Sequence, residues 1–371
     1  MKRSIGLLSI LILYAACTGC NAGGMVPGPI VGGDIRLLIA NSLGETLSVA
    51  TRTDGTWSVQ RDVLQTGQAA NDIVVDGDTA YIVCSLSNSI HVVNTKTMTT
   101  VREISTGAGT NPFAAALGDD GTLWVSLTLA NKLIRVDPDA TEPVLHTIDL
   151  PGPSAFDDDD PSQENMPWPE GVCVVGGKVY VAFSNLANLG AVYAAGGRGA
   201  VGIIDAATAT VDGLMIVQGR NTVGVECPDE AAGLIYIISA GDFSPVTYNY
   251  IGNGLVEIHN SNTGSDVGSV TLFGAPYELV LSTTGAGYAT DGMSGDVLRF
   301  DSISLIAWPK IDIPDSGMGF NYVSGICSLG GNDIAVLEFN ADMLYLVDGI
   351  TATIDRSLTI GDGPDAMAVI S

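Results

Sequence analysis

The feature that most constrains this chain is a repeat. Residues 70–107 read ANDIVVDGDTAYIVCSLSNSIHVVNTKTMTTVREISTG. They divide into a strand, a glycine turn, a strand over 80–85, a Ser-Asn turn, a strand over 89–94, a Thr-Lys-Thr turn and a strand over 101–105. Apolar residues alternate in the second strand, whereas the first is almost wholly apolar, as a strand buried on both faces should be. The same order returns in NPFAAALGDDGTLWVSLTLANKLIRVDPDATEPVLHTIDLPG, and in PEGVCVVGGKVYVAFSN followed by GAVGIIDAATATVDGLMIVQG. It returns again in TVGVECPDEAAGLIYIISAG with NGLVEIHNSNTGSDVGSVTLFG, in PYELVLSTTGAGYATDGMSGDVLRFDSISLIAWPKIDIPDSG, and in VSGICSLGGNDIAVLEFNADMLYLVDGITATIDRSLTIGDG. Six complete four-strand units therefore lie between Ala70 and Gly363.

The chain ends supply a seventh. Residues 35–67 hold the last three strands of a unit and lack its first, while the C-terminal PDAMAVIS is a lone first strand. Joining them closes a circular array and removes open sheet edges. The expected fold is all-β: a seven-bladed β-propeller of four-stranded antiparallel blades, its first blade closed by the C-terminal strand. The predicted blades are 35–67 plus 364–371, 70–107, 111–152, 168–219, 221–274, 275–317 and 320–363. With 46 glycines, 46% hydrophobic residues and only 15% charged ones, the composition suits many short strands joined by tight turns.

A rhythm of GxxPxxxA, a DG turn, LWVS or VYVA, a polar turn, IxVxD and a late TIxxG runs through these units. It resembles the YVTN-type repeats of the lactonase-like seven-bladed propellers, with YIVCSLSN, LWVSLTLAN and VYVAFSN as loose versions of the signature. The resemblance covers residues 35–371 and implies the fold. It does not imply one activity, because this fold hosts enzymes, binders and scaffolds alike.

The N-terminus carries an address. Lys2 and Arg3 precede an apolar run over 5–16 that is too short to cross a bilayer core of ~30 Å and has the length of a signal-peptide core. The stretch resembles a bacterial lipoprotein signal, with residues 1–19 as signal peptide and 20–34 as lipidated tether. Cys20, after Thr18-Gly19, is the favoured lipidation site and Cys17 the other candidate. The implied location is the cell envelope, at the outer membrane, in the periplasm or on the cell surface, with a lipid anchor in the membrane. Four cysteines remain, Cys84, Cys173, Cys227 and Cys327, all in apolar strand patterns without CxxC spacing. They are expected to be buried thiols, although export would permit a Cys173–Cys227 disulfide. The formal net charge of −26 opposes nucleic-acid binding, which draws on lysine and arginine displacing counterions.

Three insertions enlarge the repeat: 153–167 between the third and fourth blades, 186–198 within the fourth and 242–253 within the fifth. In an antiparallel four-strand blade, the link from strand four to the next strand one emerges on the same side as the loop between strands two and three. All three insertions should therefore cover one face of the disc, and loops on a rigid scaffold are where function concentrates. Inner strands start on that face and bring Asp72, Glu170, Glu278 and Asp365 to the channel mouth, with Asn71, Asn111, Asn321 and Tyr277. The four carboxylates are expected either to form a hydrated rim or to hold Ca²⁺, which takes several oxygen ligands, or a cationic organic ligand. Trp168, Tyr193, Tyr248 and Tyr250 on the insertions offer apolar surface to a ligand or a protein partner. The acidic run 157–160 lacks the spaced pattern of a calcium loop and is expected to be solvated.

Recognisable catalytic sets are missing from the sequence. His91, His146 and His259 are its only histidines and are expected to be exposed; there is no GxSxG, HExxH, CxxCH or phosphate-loop pattern. The expected function is a non-catalytic binding propeller that uses its inserted face for a protein, glycan or small ligand. The alternatives are a metal-assisted, lactonase-like hydrolase built on the channel carboxylates, and a structural part of an outer-membrane assembly.

Overall fold

β-Branched and aromatic runs separated by Gly, Asn and Asp turns produce seven four-stranded antiparallel sheets. The computed structural model describes residues 34–160, 164–190, 192–228, 232–317 and 321–371. Cys17, Cys20 and the whole predicted leader lie outside the described residues, so the lipidation expectation has no structural counterpart here.

The inner strands are Pro364–Ile370, Ala70–Asp76, Pro112–Leu117, Pro169–Val175, Thr222–Glu226, Pro276–Leu281 and Val323–Gly330. Each packs against the next, and Val323–Gly330 packs against Pro364–Ile370, which in turn meets Ala70–Asp76, so the ring is closed. Closure is made as the sequence predicts. Pro364–Ile370 pairs antiparallel with Ile35–Asn41, placing Ala368 opposite Leu38, and Thr46–Thr53 and Thr56–Gln65 complete that blade.

Apolar side chains of each blade meet those of its neighbour, giving seven buried clusters, one at each seam between adjacent blades. The core is thus a ring of interfaces rather than one central mass. Inner strands such as Pro169–Val175 are buried throughout, whereas outer strands such as Thr56–Gln65 are largely exposed. All four predicted buried cysteines are buried and free of disulfides.

Two hydrogen-bond devices repeat. In every blade the residue after strand two donates its N–H to the carbonyl just before the inner strand: Ser42 to Gly363, Ser85 to Ala69, Thr128 to Asn111, Ser184 to Trp168, Ala240 to Asn221, Gly292 to Ala275 and Phe339 to Tyr322. At the other end, Asn94, Asp205, Asn260, Asp301 and Asp348 each accept the N–H groups two and three residues on. These side-chain turns give the closing Asp or Asn of the IxVxD rhythm a physical role.

The blades are also stitched to one another. The hydroxyls of Ser85, Thr128 and Ser184, at one register position of three consecutive blades, donate to the carbonyls of Pro112, Pro169 and Thr222 in the next inner strand. Polar residues just after strand two thus act as clasps, and burying them costs little because each is bonded.

Candidate functional site

The three insertions lie on the face where the inner strands begin, and they are built into one another. Strands Leu186–Asn188 and Tyr193–Ala195 form a two-stranded ribbon, as do Phe243–Ser244 and Asn249–Tyr250. Met166, from the link between blades three and four, exchanges backbone hydrogen bonds with Leu186 at 2.7 and 2.8 Å. Asn185 and Asp159 donate their N–H groups to Pro167 and Gly196 at 3.0 and 2.8 Å. The Asn185 side chain donates to the Asp157 carbonyl at 2.7 Å and to the Arg198 carbonyl at 2.8 Å, drawing the acidic run over the fourth blade.

One side chain joins all three. Arg220, at the end of the outermost strand of blade four, Thr210–Arg220, donates through Nη2 to Asp159 and to the Ala195 carbonyl at 3.1 Å, and through Nε to Asp242 at 2.6 Å. Those partners belong respectively to the interblade link, the blade-four insertion and the blade-five insertion. The backbone just before it is fixed from the next blade: Glu257 accepts the N–H groups of Gln218 and Gly219 at 2.9–3.1 Å. Gly219 is required there, because a Cβ would stand 2.1 Å from Ser239 Oγ. The Asp159 and Asp242 carboxylates hold the Arg220 guanidinium above its ordinary value, while the hydrogen bonds from Arg198 hold Asp157 below its own.

The expectation that residues 157–160 are simply solvated is therefore corrected for two of the four. Asp157 pairs with Arg198 at 3.0 Å and Asp159 with Arg220. The cause is the arginines, which stand 41 and 61 residues further on and are brought over the run by the fold.

Aromatic rings line the same assembly. Trp168 meets Tyr193 at a centroid separation of 5.5 Å; Tyr250 sits edge-on to Phe243 at 5.3 Å and to Tyr277 at 6.0 Å. The hydroxyls of Tyr250 and Tyr277 are hydrogen-bonded, and Asn221 donates to the Tyr250 hydroxyl at 3.3 Å. Tyr248 is 60% exposed. Trp168 is unusual for its backbone. The residue before the inner strand is left-handed in five blades, and elsewhere it is Gly363, Ala69, Asn111 or Asn221. At φ 56° a bulky residue carries strain of about 1–3 kcal/mol. Its ring contact with Tyr193 offsets part of that cost.

The predicted channel carboxylates are placed differently from a hydrated rim. Asp72, Glu170, Glu278 and Asp365 are all buried. Asp72 accepts the N–H of Ala115 at 2.7 Å and Glu278 that of Ile326 at 3.0 Å, each in the inner strand of the following blade. These two carboxylates thus tie one inner strand to the next across a seam. Burial pushes Glu170 well above the usual carboxylate range. The four residues stand on four blades. Among the described residues no three His, Cys, Asp or Glu side chains are grouped to hold a metal ion, so the donor set does not fit the Ca²⁺ expectation.

Asn71 donates to the Phe113 carbonyl at 2.6 Å, another seam contact. Asn111 is half-buried and left-handed, its N–H held by Asn88 at 3.0 Å. Asn321 pins the link into blade seven, accepting from Ser316 and donating to the Ile313 and Pro314 carbonyls. The histidine expectation is also corrected. His91 lies 3.5 Å from Glu103 and His259 3.8 Å from Glu257, both largely buried, because third strands face the neighbouring blade; only His146 is exposed.

Sequence reasoning did not single out Arg220, Arg198, Asp242 or Glu226. Desolvation, then neighbouring Cys227, Glu278 and Asp72, holds half-buried Glu226 well above the usual carboxylate range. An arginine closing a strand beside long insertions was the one available signal for Arg220.

Fold and site together define a seven-bladed β-propeller with three interlocked insertions on one face. No family model matches the sequence, and no curated protein matches it. Solved structures share the fold. A Bacteroides fragilis protein assigned as a 6-phosphogluconolactonase aligns with a TM-score of 0.65 at 13% identity, covering 92% of this chain and 99% of its own. Hydrazine synthase of Kuenenia stuttgartiensis gives 0.59 at 15% identity, covering 78% and 86%. Virginiamycin B lyase from Staphylococcus aureus gives 0.57 at 13% identity, covering 79% and 86%. At these identities the likeness is one of fold alone.

Proposed function

We propose that this protein is a non-catalytic binding propeller of the cell envelope, anchored by lipid at Cys20 or Cys17, that recognises its ligand with the inserted face. The observation that carries the reading is Arg220, which bonds all three insertions and makes one preorganised surface of them. Separate decorative loops would have no need of a shared guanidinium. Exposed tyrosines beside charge-paired side chains are the composition of a recognition surface.

The orientation agrees with tethering. The first described strand begins at Ile35 opposite Arg52, and Arg36 donates to the Ser371 carbonyl at 2.7 Å. Ile35 and Ser371 therefore lie on the face away from the insertions, and a tether ahead of Asp34 leaves the inserted face pointing outward. The metal-assisted hydrolase gains no support, since two of its four carboxylates, Asp72 and Glu278, are engaged in holding blades together.

The test replaces residues 186–198 and 242–253 with short turns. The unfolding transition should stay cooperative, and binding to an array of glycans and peptides should disappear. Array binding that survives both deletions overturns the reading.

A further inference from the structure

We propose that the inserted face docks a basic polypeptide segment bearing apolar side chains; this names the partner class for the surface described above and rests on that reading. Three observations point to it. The first is a row of leucines. Leu43, Leu86 and Leu129 occupy the same register position, two residues after strand two, in three consecutive blades, and they are 51%, 56% and 60% exposed. Single exposed leucines need no explanation. Three in register on one face carry the exposed apolar surface across blades one to three, next to the insertion tyrosines of blades four and five.

The second is charge. The basic residues at strand ends on this face are all committed to its own acids: Lys132 to Asp149, Arg198 to Asp157, Arg220 to Asp159 and Asp242, and Lys310 to Asp296. Among the described residues the aspartates beside Leu43 form no such ion pair, and Arg61 is the cation that acts on them. The turn holding Leu43 is bonded to the Asp362 carbonyl, and beside it burial and the charges of Asp362 and Asp62 hold Asp342 above its ordinary value, against the opposing Gly363 N–H bond and Arg61 charge. With a net charge of −26 behind it, the face attracts cations and repels anions. The third is the set of Trp168, Tyr193, Tyr250 and Tyr277 rings, whose faces suit lysine and arginine side chains as well as apolar ones. A neutral glycan would use the rings and leave the leucines and the charge unexplained.

The experiment measures binding of short synthetic peptides to the purified protein by calorimetry at low and high salt. The probes alternate Lys with Leu, Lys with Ser, or Glu with Leu. The Lys-Leu peptide should bind, more weakly at high salt. The triple variant L43S/L86S/L129S should lose affinity for it by about tenfold or more, with an unchanged thermal transition and unchanged weak binding of the Lys-Ser peptide. Equal binding of Lys-Ser and Lys-Leu, binding of Glu-Leu, or unaltered affinity of the triple variant overturns the proposal. Leucine-dependent adsorption to phosphatidylcholine vesicles overturns it too, in favour of a membrane surface. If the peptides fail while insertion-dependent array binding stands, only the partner class falls and the binding reading survives.

Discussion

Replacing Arg220 with methionine removes the guanidinium and keeps most of the apolar stem. Its side chain is 24% exposed, so each contact is discounted for solvent. Asp159 is 54% exposed, which puts that pair at about 0–1 kcal/mol. Asp242 is 33% exposed and receives a direct Nε hydrogen bond, for about 1–2 kcal/mol, and the bond to the Ala195 carbonyl adds about 1 kcal/mol. The total is roughly 2–4 kcal/mol, or an opening equilibrium shifted about 30- to several-hundred-fold. None of these bonds belongs to a blade ladder, so the loss should be local. Native-state hydrogen exchange should speed up by that factor at the amides of Asp159, Met166, Leu186, Asp242 and Ile251, each held by a bond within or between insertions. Amides of the inner strands, such as Ala115, should keep their protection, and the melting temperature should hardly move. Unchanged exchange at the insertions would refute the argument that Arg220 assembles them. A collapse of global stability would show instead that the insertions are part of the core.

Two further outcomes concern the ring. Gly171→Ala places a Cβ 2.8 Å from Gly224 Cα and 2.9 Å from the Val225 nitrogen, backbone of the adjoining inner strand that cannot step aside; it should lower the unfolding free energy by about 1–3 kcal/mol, and an unmoved denaturant midpoint would contradict the close approach. Burial raises the Glu170 carboxyl, so the fold binds its proton more tightly than the unfolded chain does. The resulting penalty is absent below the unfolded value of about 4.3 and grows as pH rises above it. Glu170→Gln should therefore raise the melting temperature at pH ~7 and lose that advantage near pH ~4; a pH-independent difference would count against neutral burial.

The sequence by itself determined the ring. Strand period, the Asp or Asn that closes the turn after strand three in five of the blades, and the split seventh unit are local signals, each written within a few residues, and together they specified seven blades and their closure. Strand parity also placed the three insertions on one face, since direction alternates whatever the side chains are. The tertiary structure decided what the side chains on that face do. Asp72 reads as a channel-mouth acid until Ala115, 43 residues away, brings a backbone N–H to it. Asp159 reads as one of four solvated aspartates until Arg220 arrives from 61 residues away. Partners of this kind come from adjoining blades, and their meeting depends on how two sheets stack across a seam. No repeat pattern records that, because the repeat encodes each blade and not the charge its neighbour presents.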